Sequence, residues 1–247
     1  MLSVIIITKN ESLHIRRCLE SVSWADEIIV YDSGSEDDTV SICKEFTPNV
    51  FVTDWPGFGL QKQRALDKAS HDWVLSIDAD EEISASLKQE IKTVIKNTTA
   101  DGFDIPRLSS YCGRQIKHGS WWPDYVLRLF RRNSAKFSND IVHERILITG
   151  ITKKLQNPIF HESYINHEEV ITKLNSYSSL GAEKLYLSGK QSTLYGAIGR
   201  SFWTFLRDYL FRFGIFDGEE GLMLAISNAE TTYYKYLKLR YLKKQTK

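Results

Sequence analysis

Cysteine is scarce in this chain. Its three residues, Cys18, Cys43 and Cys112, lie far apart with no Cys-x-x-Cys spacing, which argues against a disulfide framework or a zinc knuckle. A reducing, cytoplasmic setting is the natural expectation. A charge surplus is also lacking. Lys plus Arg (32) almost cancels Asp plus Glu (31), which argues against a wholesale nucleic-acid binder. No apolar run is long enough to span a bilayer. The opening MLSVIIITKNES is too short for a signal peptide and lacks its basic lead. Neither GxxxxGKS/T nor GxGxxG follows the first apolar run, so the chain does not read as a P-loop NTPase or a dinucleotide dehydrogenase.

What is present is alternation. LSVIIIT, residues 2–8, is a continuous β-branched run of the kind buried on both faces in a parallel sheet. NESLHIRRCLESV follows at helical spacing. Residues 27–31 predict a second strand, ending in the polar turn DSGSEDDT, and a helix over 40–46 follows with Asp37 or Asp38 as its cap. NVFVTDW, GLQKQRALDKA and DWVLSID predict a third strand, a third helix and a fourth strand. This order predicts an open, doubly wound α/β sheet. A helix over 83–96 comes next. DGFDIPRL and DYVLRLFRR then read as strands around the Trp-rich loop YCGRQIKHGSWWP. From about residue 170 the pattern is helical. The expected division is 1–168 (1–85, then 86–168) and a helical, aromatic and basic 169–247.

In an open α/β sheet the ligand crevice lies beyond the carboxyl ends of the strands. Polar residues gather at those ends: Thr8, Asn10 and Glu11; Asp32 to Asp38; and Asp78, Asp80, Glu81 and Glu82. Any one acidic strand end can be a helix cap, but three converging on one crevice suggest a site. Four like charges in five residues repel unless something positive offsets them. In an extended segment Asp78 and Asp80 point the same way. Hard oxygen ligands suit Mg²⁺ or Mn²⁺ bridging to substrate phosphates, so a dication among these acids is the expectation.

SVIIITKNE, VYDSGSEDDT, GFGLQKQRAL and LSIDADEE, in that order and spacing, resemble the nucleotide-sugar-binding half of family 2 glycosyltransferases, of the GT-A fold. The resemblance covers roughly the first 85 residues. It implies a Rossmann-like, mostly parallel sheet flanked by helices, with a helical C-terminal extension. More narrowly, WWPDYVLRLFRR, NDIVHE and RFGIFDGEEGL resemble bacterial glycosyltransferases of lipopolysaccharide inner-core assembly, which put a β-linked glucose on a core heptose. The family's roles, carried over, place Thr8, Asn10 and Glu11 in the nucleoside pocket and Asp32 on the uracil or ribose. Lys62 and Arg64 would approach the base or diphosphate, or else form a solvated helix face. Asp78 would hold sugar or ribose, and Asp80 the metal. Inversion by one displacement needs a carboxylate base, for which Glu144, Asp124 and Asp140 are the candidates and Glu144 the choice. The family's usual acid–Asp pair is replaced by His143–Glu144, with His143 a second metal or diphosphate ligand or a structural histidine. Trp121 and Trp122 suit a sugar-binding lip or a loop anchor. Arg128, with Arg131 and Arg132, suits diphosphate or acceptor phosphates.

The resemblance implies a UDP-sugar donor, a lipid-linked saccharide acceptor and no nucleic acid. Residues 202–216 hold seven aromatics, and residues 231–247 hold six basic residues and no acid. They suit peripheral contact with the cytoplasmic face of the inner membrane, or a helical cap packing on the sheet domain. The other readings are a polyprenyl-phosphate glycosyltransferase and a non-catalytic nucleotide-sugar-binding or membrane scaffold protein.

Overall fold

The computed structural model describes residues 1–138 and 145–245. The chain forms two compact units: Met1–Arg107 with Asp124–His161, and Leu108–Pro123 with Glu162–Lys247.

In the first unit β1 (Leu2–Thr8) is buried along its whole length, as its unbroken apolar run requires. It pairs in parallel with β2 (Glu27–Asp32) and with β4 (Trp73–Asp78), and β2 carries β3 (Val50–Val52) at the edge. Between them run α1 (Ile15–Val22), α2 (Thr39–Phe46) and α3 (Phe58–Lys68). Ile15, Cys18, Leu19 and Val22 of α1 recur at helical spacing and are all buried. Asp37, expected as a cap, accepts from the Thr39 backbone N–H at 3.0 Å and from that of Ser12 at 3.1 Å. Side chains alternate across β1. Val4 and Ile6 join the core with Leu19, Leu75 and Leu87, while Ile5 and Ile7 face Ala65, Leu66 and Phe130.

Beyond β4 the chain departs from simple alternation. Glu81–Ile83 form a short strand, β5, before α4 (Ala85–Val94), whose N-cap Ser84 accepts from the Leu87 N–H at 3.2 Å. β6 (Gly102–Tyr111) leads through β7 (Arg114–Gln115) to β8 (Asp124–Arg131), which pairs antiparallel with both β4 and β6. A hairpin of β9 (Ala135–Phe137) and β10 (Ile146–Ile148) follows. β11 (Thr152–Lys154) pairs in parallel with β6. β12 (Ile159–Tyr164) lies antiparallel to β5, with His161 opposite Glu81.

The second unit is mainly α5 (His167–Leu187), α6 (Leu194–Leu206) and α7 (Gly218–Gln245). Asn166 and Thr193 cap α5 and α6 with their side-chain oxygens. Residues 108–123, expected within the first domain, group here instead. The reason is apolar: Tyr111 and Ile116 are buried with Val170 and Leu224. Lys238 of α7 donates to Asn175, Ser178 and Ser179 of α5, and Leu239 is buried. This part of the basic stretch is therefore used in helix packing. Among the described residues, no helix is long and apolar enough to cross a membrane.

Replacing Ile6 by Ala should cost about 2–5 kcal/mol, since its side chain is fully enclosed in the sheet core. Urea denaturation checks this; an unchanged midpoint would contradict it.

Candidate active site

Sheet register brings three strand ends side by side. Thr8 pairs with Asp32, and Ile7 with Asp78. Thr8, Asp32 and Asp78 therefore share one carboxyl edge, where a parallel sheet places its ligand crevice. The turns after them add Asn10, Glu11 and Asp80.

The acids of DADEE are each partnered. Asp78 accepts from Lys62 Nζ at 2.8 Å through Oδ1 and from Arg128 Nη2 at 2.5 Å through Oδ2. Arg128 Nη2 also lies 2.6 Å from Glu81 Oε1, and Arg107 Nη1 approaches the same oxygen at 3.8 Å. The other oxygen of Glu81 accepts from the Asp78 backbone N–H at 3.0 Å. Arg17 stands 3.8 Å from Glu82. Lys62, Glu81 and Arg128 are buried. Desolvation pushes the Asp78 carboxyl upward, but Arg128 and Lys62 outweigh it and hold the group well below the usual carboxylate range. Glu81 goes the other way: burial raises it, against Arg128, and the Asp78 charge raises it further. Cationic side chains from α3, β6 and β8 offset Asp78 and Glu81.

Asp80 is placed differently. Its Oδ2 lies 3.3 Å from Nε2 of His161 on β12. The sequence reading missed His161, because a lone histidine in FHES carries no local signal; only the β12–β5 pairing brings it here. His143, the expected second ligand, lies outside the described residues, as do Asp140 and Glu144. Glu11 completes this corner. Burial raises its carboxyl, a 2.9 Å contact with His14 opposes the rise, and the Asp80 charge adds to it.

Other expected residues have definite partners. Asp32 is fully buried and accepts from the Gly34 and Ser35 N–H groups at 2.9 and 2.8 Å, and from the Ser35 hydroxyl. Asn10, at φ 55°, bonds Ser35 and Glu36. Gln61 of α3 donates to Ser33 and Thr53. The Thr8 hydroxyl is buried with no hydrogen-bond partner among the described residues. Arg64 is turned to Asp54 at 2.8 Å. Asp124, a candidate base, accepts from Arg107 Nε and Nη2 at 3.0 and 2.7 Å. In the second unit, Trp121 stacks on Tyr164 with ring centroids 5.4 Å apart, and Trp122 is half-buried.

A divalent cation can be tested against this donor set. Asp80 and His161 supply one carboxylate and one imidazole, and among the described residues no cluster of three or more protein donors forms. Two protein donors suit Mg²⁺ or Mn²⁺, which take their remaining ligands from substrate phosphates and water. The residues fit the ion.

Replacing Arg128 by Met leaves Glu81 buried without its main cation. The fold should lose about 3–5 kcal/mol, measured by urea denaturation at neutral pH. Because the folded Asp78 binds its proton at lower pH than the unfolded chain, its stabilisation is present above about pH 4 and drains as pH falls further. The variant should show less of that acid loss; an identical acid profile would contradict the ion-pair reading.

Comparison with known proteins agrees with this architecture. The model for the family described as Glycosyl transferase family 2 matches residues 3–155. An uncharacterized glycosyltransferase of Rickettsia prowazekii (strain Madrid E) is 34% identical, over 97% of this chain and 86% of that protein. The lipopolysaccharide core biosynthesis glycosyltransferase LpsC of Rhizobium meliloti (strain 1021) is 30% identical, over 92% of this chain and 87% of its own. In fold, the chain is similar to S. aureus TarS 1–349, solved in complex with UDP-GlcNAc, with a TM-score of 0.50 at 14% identity, over 100% of this chain and 92% of that one. A sheet of GT-A type, a family model matching more than half of the chain and relatives aligned over most of their length lead to one assignment: the chain belongs to glycosyl transferase family 2.

Proposed function

We propose that this glycosyltransferase moves a hexose, glucose in the first instance, from a UDP-sugar to a lipid-linked saccharide such as a lipopolysaccharide core heptose, with inversion at the anomeric carbon. The observation that carries the reading is the shared edge of Thr8, Asp32 and Asp78, with Asp80 and His161 beside it. The acceptor class rests on the name of the LpsC relative.

The buried Thr8 hydroxyl, without a hydrogen-bond partner among the described residues, has its hydrogen-bonding capacity unspent for a polar edge of the nucleoside. Asp32 fixes the turn that walls the pocket, and Asn10 and Glu11 close its other side. Asp78, locked by Lys62 and Arg128, presents a fixed carboxylate to sugar or ribose hydroxyls. Asp80 and His161 would hold the divalent ion, which supplies charge neutralisation for the departing diphosphate. The acceptor hydroxyl attacks the anomeric carbon, the bond to the diphosphate oxygen breaks, and the hydroxyl proton passes to a carboxylate base. Glu144 is the proposed base. Asp124, which Arg107 already grips, is the alternative.

UDP release with UDP-glucose and a heptose-containing lipid acceptor, with and without Mn²⁺, tests the reading. Asp80→Asn should lower turnover about a hundredfold or more. Glu144→Gln should lower it by about 10²–10⁴ while UDP-sugar binding persists. Full activity in EDTA-washed enzyme would overturn the metal role, and undiminished turnover in Glu144→Gln would remove that residue as the base.

A further inference from the structure

We propose that the turn over residues 211–216, with Phe202 and Trp203 of α6, is an aromatic wedge that seats the second unit on an anionic lipid surface. The first observation is exposure. Phe202, Trp203, Phe211, Phe213 and Phe216 are 62, 56, 62, 57 and 67% exposed. Four of them pair rather than standing singly: Trp203 meets Phe211 at 5.6 Å and Phe213 stacks on Phe216 at 6.0 Å between ring centroids. Phe202 also walls an open, mostly apolar groove of about 480 Å³ with Ile226 and Tyr234, at which Glu230 is an exposed acid. Exposed apolar surface of this kind marks an interaction site.

The second observation is how the turn is built. Phe213 adopts φ 62°, ψ 23°, a left-handed conformation that a side-chain-bearing residue adopts only at a cost. Burial of its ring does not compensate, since the ring faces solvent. Gly214 follows because a Cβ there would sit 2.6 Å from the Asp208 carbonyl oxygen. Two buried acids brace the ends. Asp208 accepts from Ser120 at 2.9 Å, Asn228 at 3.0 Å and Arg207 at 2.8 Å. Asp217 accepts from the backbone N–H groups of Lys117 and His118 at 3.1 and 2.8 Å. The aromatics are thus presented by a braced turn.

The third observation selects the partner. Both acids of the segment are consumed in the interior, while Arg200 and Arg212 remain exposed. The next acid, Glu219, opens α7, where the helix dipole favours it. Exposed rings beside exposed arginines match the boundary of a bilayer with anionic headgroups. The turn also grips the loop that carries Trp121 and Trp122, since the Gly119 N–H donates to the Arg212 carbonyl at 2.9 Å. Docking would therefore carry that loop to the lipid surface, where a lipid-linked acceptor resides. This last step rests on the proposed function; the docking does not.

The test is co-sedimentation of the full chain with phosphatidylcholine vesicles, with and without phosphatidylglycerol, at low and high salt. Phe213→Gly removes a ring and relieves the left-handed strain together, so the fold should melt no lower than wild type. Its partitioning onto anionic vesicles should fall severalfold, and that of Phe211→Ser/Phe216→Ser by about tenfold or more. Arg212→Gln should blunt the salt dependence. Wild-type protein that ignores anionic vesicles at low salt, or variants that bind as well as wild type, would overturn the proposal. So would a solution dimer that these variants dissolve, because the face would then belong to a second copy. The readout needs no turnover, so it stands or falls apart from the transfer reaction.

Discussion

The buried bridge from Lys62 through Asp78 to Arg128 and Glu81 is the interaction on which the candidate site depends. It joins the consecutive elements α3, β4 and β5 to β8, which lies far along the chain, at the carboxyl edge of the sheet. Removing charges from water is expensive, and only close geometry with further hydrogen bonds offsets that cost. Here the offset is built in, because Asp78 has a cation on each oxygen and Glu81 also accepts from the Asp78 backbone. The same arrangement would fix where a donor's polar groups go under the proposed function. Asp78 is held rigid and ionised, and Asp80 is left to face His161.

Much of the fold was legible because its signals are local. The β-branched run of β1 and the strand–helix alternation through Asp78 follow directly from periodicity and burial. The strand-end acids were legible for the same reason. What offsets them was not. Arg128 lies fifty residues after Asp78 and reaches it only because β8 runs antiparallel beside β4. A short extended segment such as EEI carries no period long enough to mark a strand, so Glu81 and Glu82 were read with the acidic end of the fourth strand and Ile83 as the start of the helix. His161 depended on that strand, since β12 finds its register against it. Residues 108–123 were placed with the sheet because their neighbours in sequence are strands. Their apolar side chains instead bury against α5 and α7.

The two units divide the chemistry. The first supplies a carboxyl sheet edge with fixed charges, to which the proposed function assigns the nucleotide-sugar. In the second, the segment from Phe202 to Asp217 keeps Asp208 and Asp217 inside and most of its aromatics outside, an inversion of the usual soluble surface. Asp208 and Asp217 are central to this, for they hold the loop before Trp121 and the turn at Phe213 in one bonded assembly. An enzyme whose acceptor is anchored in lipid needs both properties in one chain: a preorganised donor edge and a surface that meets the acceptor where it resides.

The most direct test of the central claim is a crystal structure with UDP and Mn²⁺, with the metal located by its anomalous scattering. The account predicts manganese on Asp80 and His161, with Asp78 still bonded to Lys62 and Arg128. Manganese bound by Asp78, with either cation displaced, would contradict it.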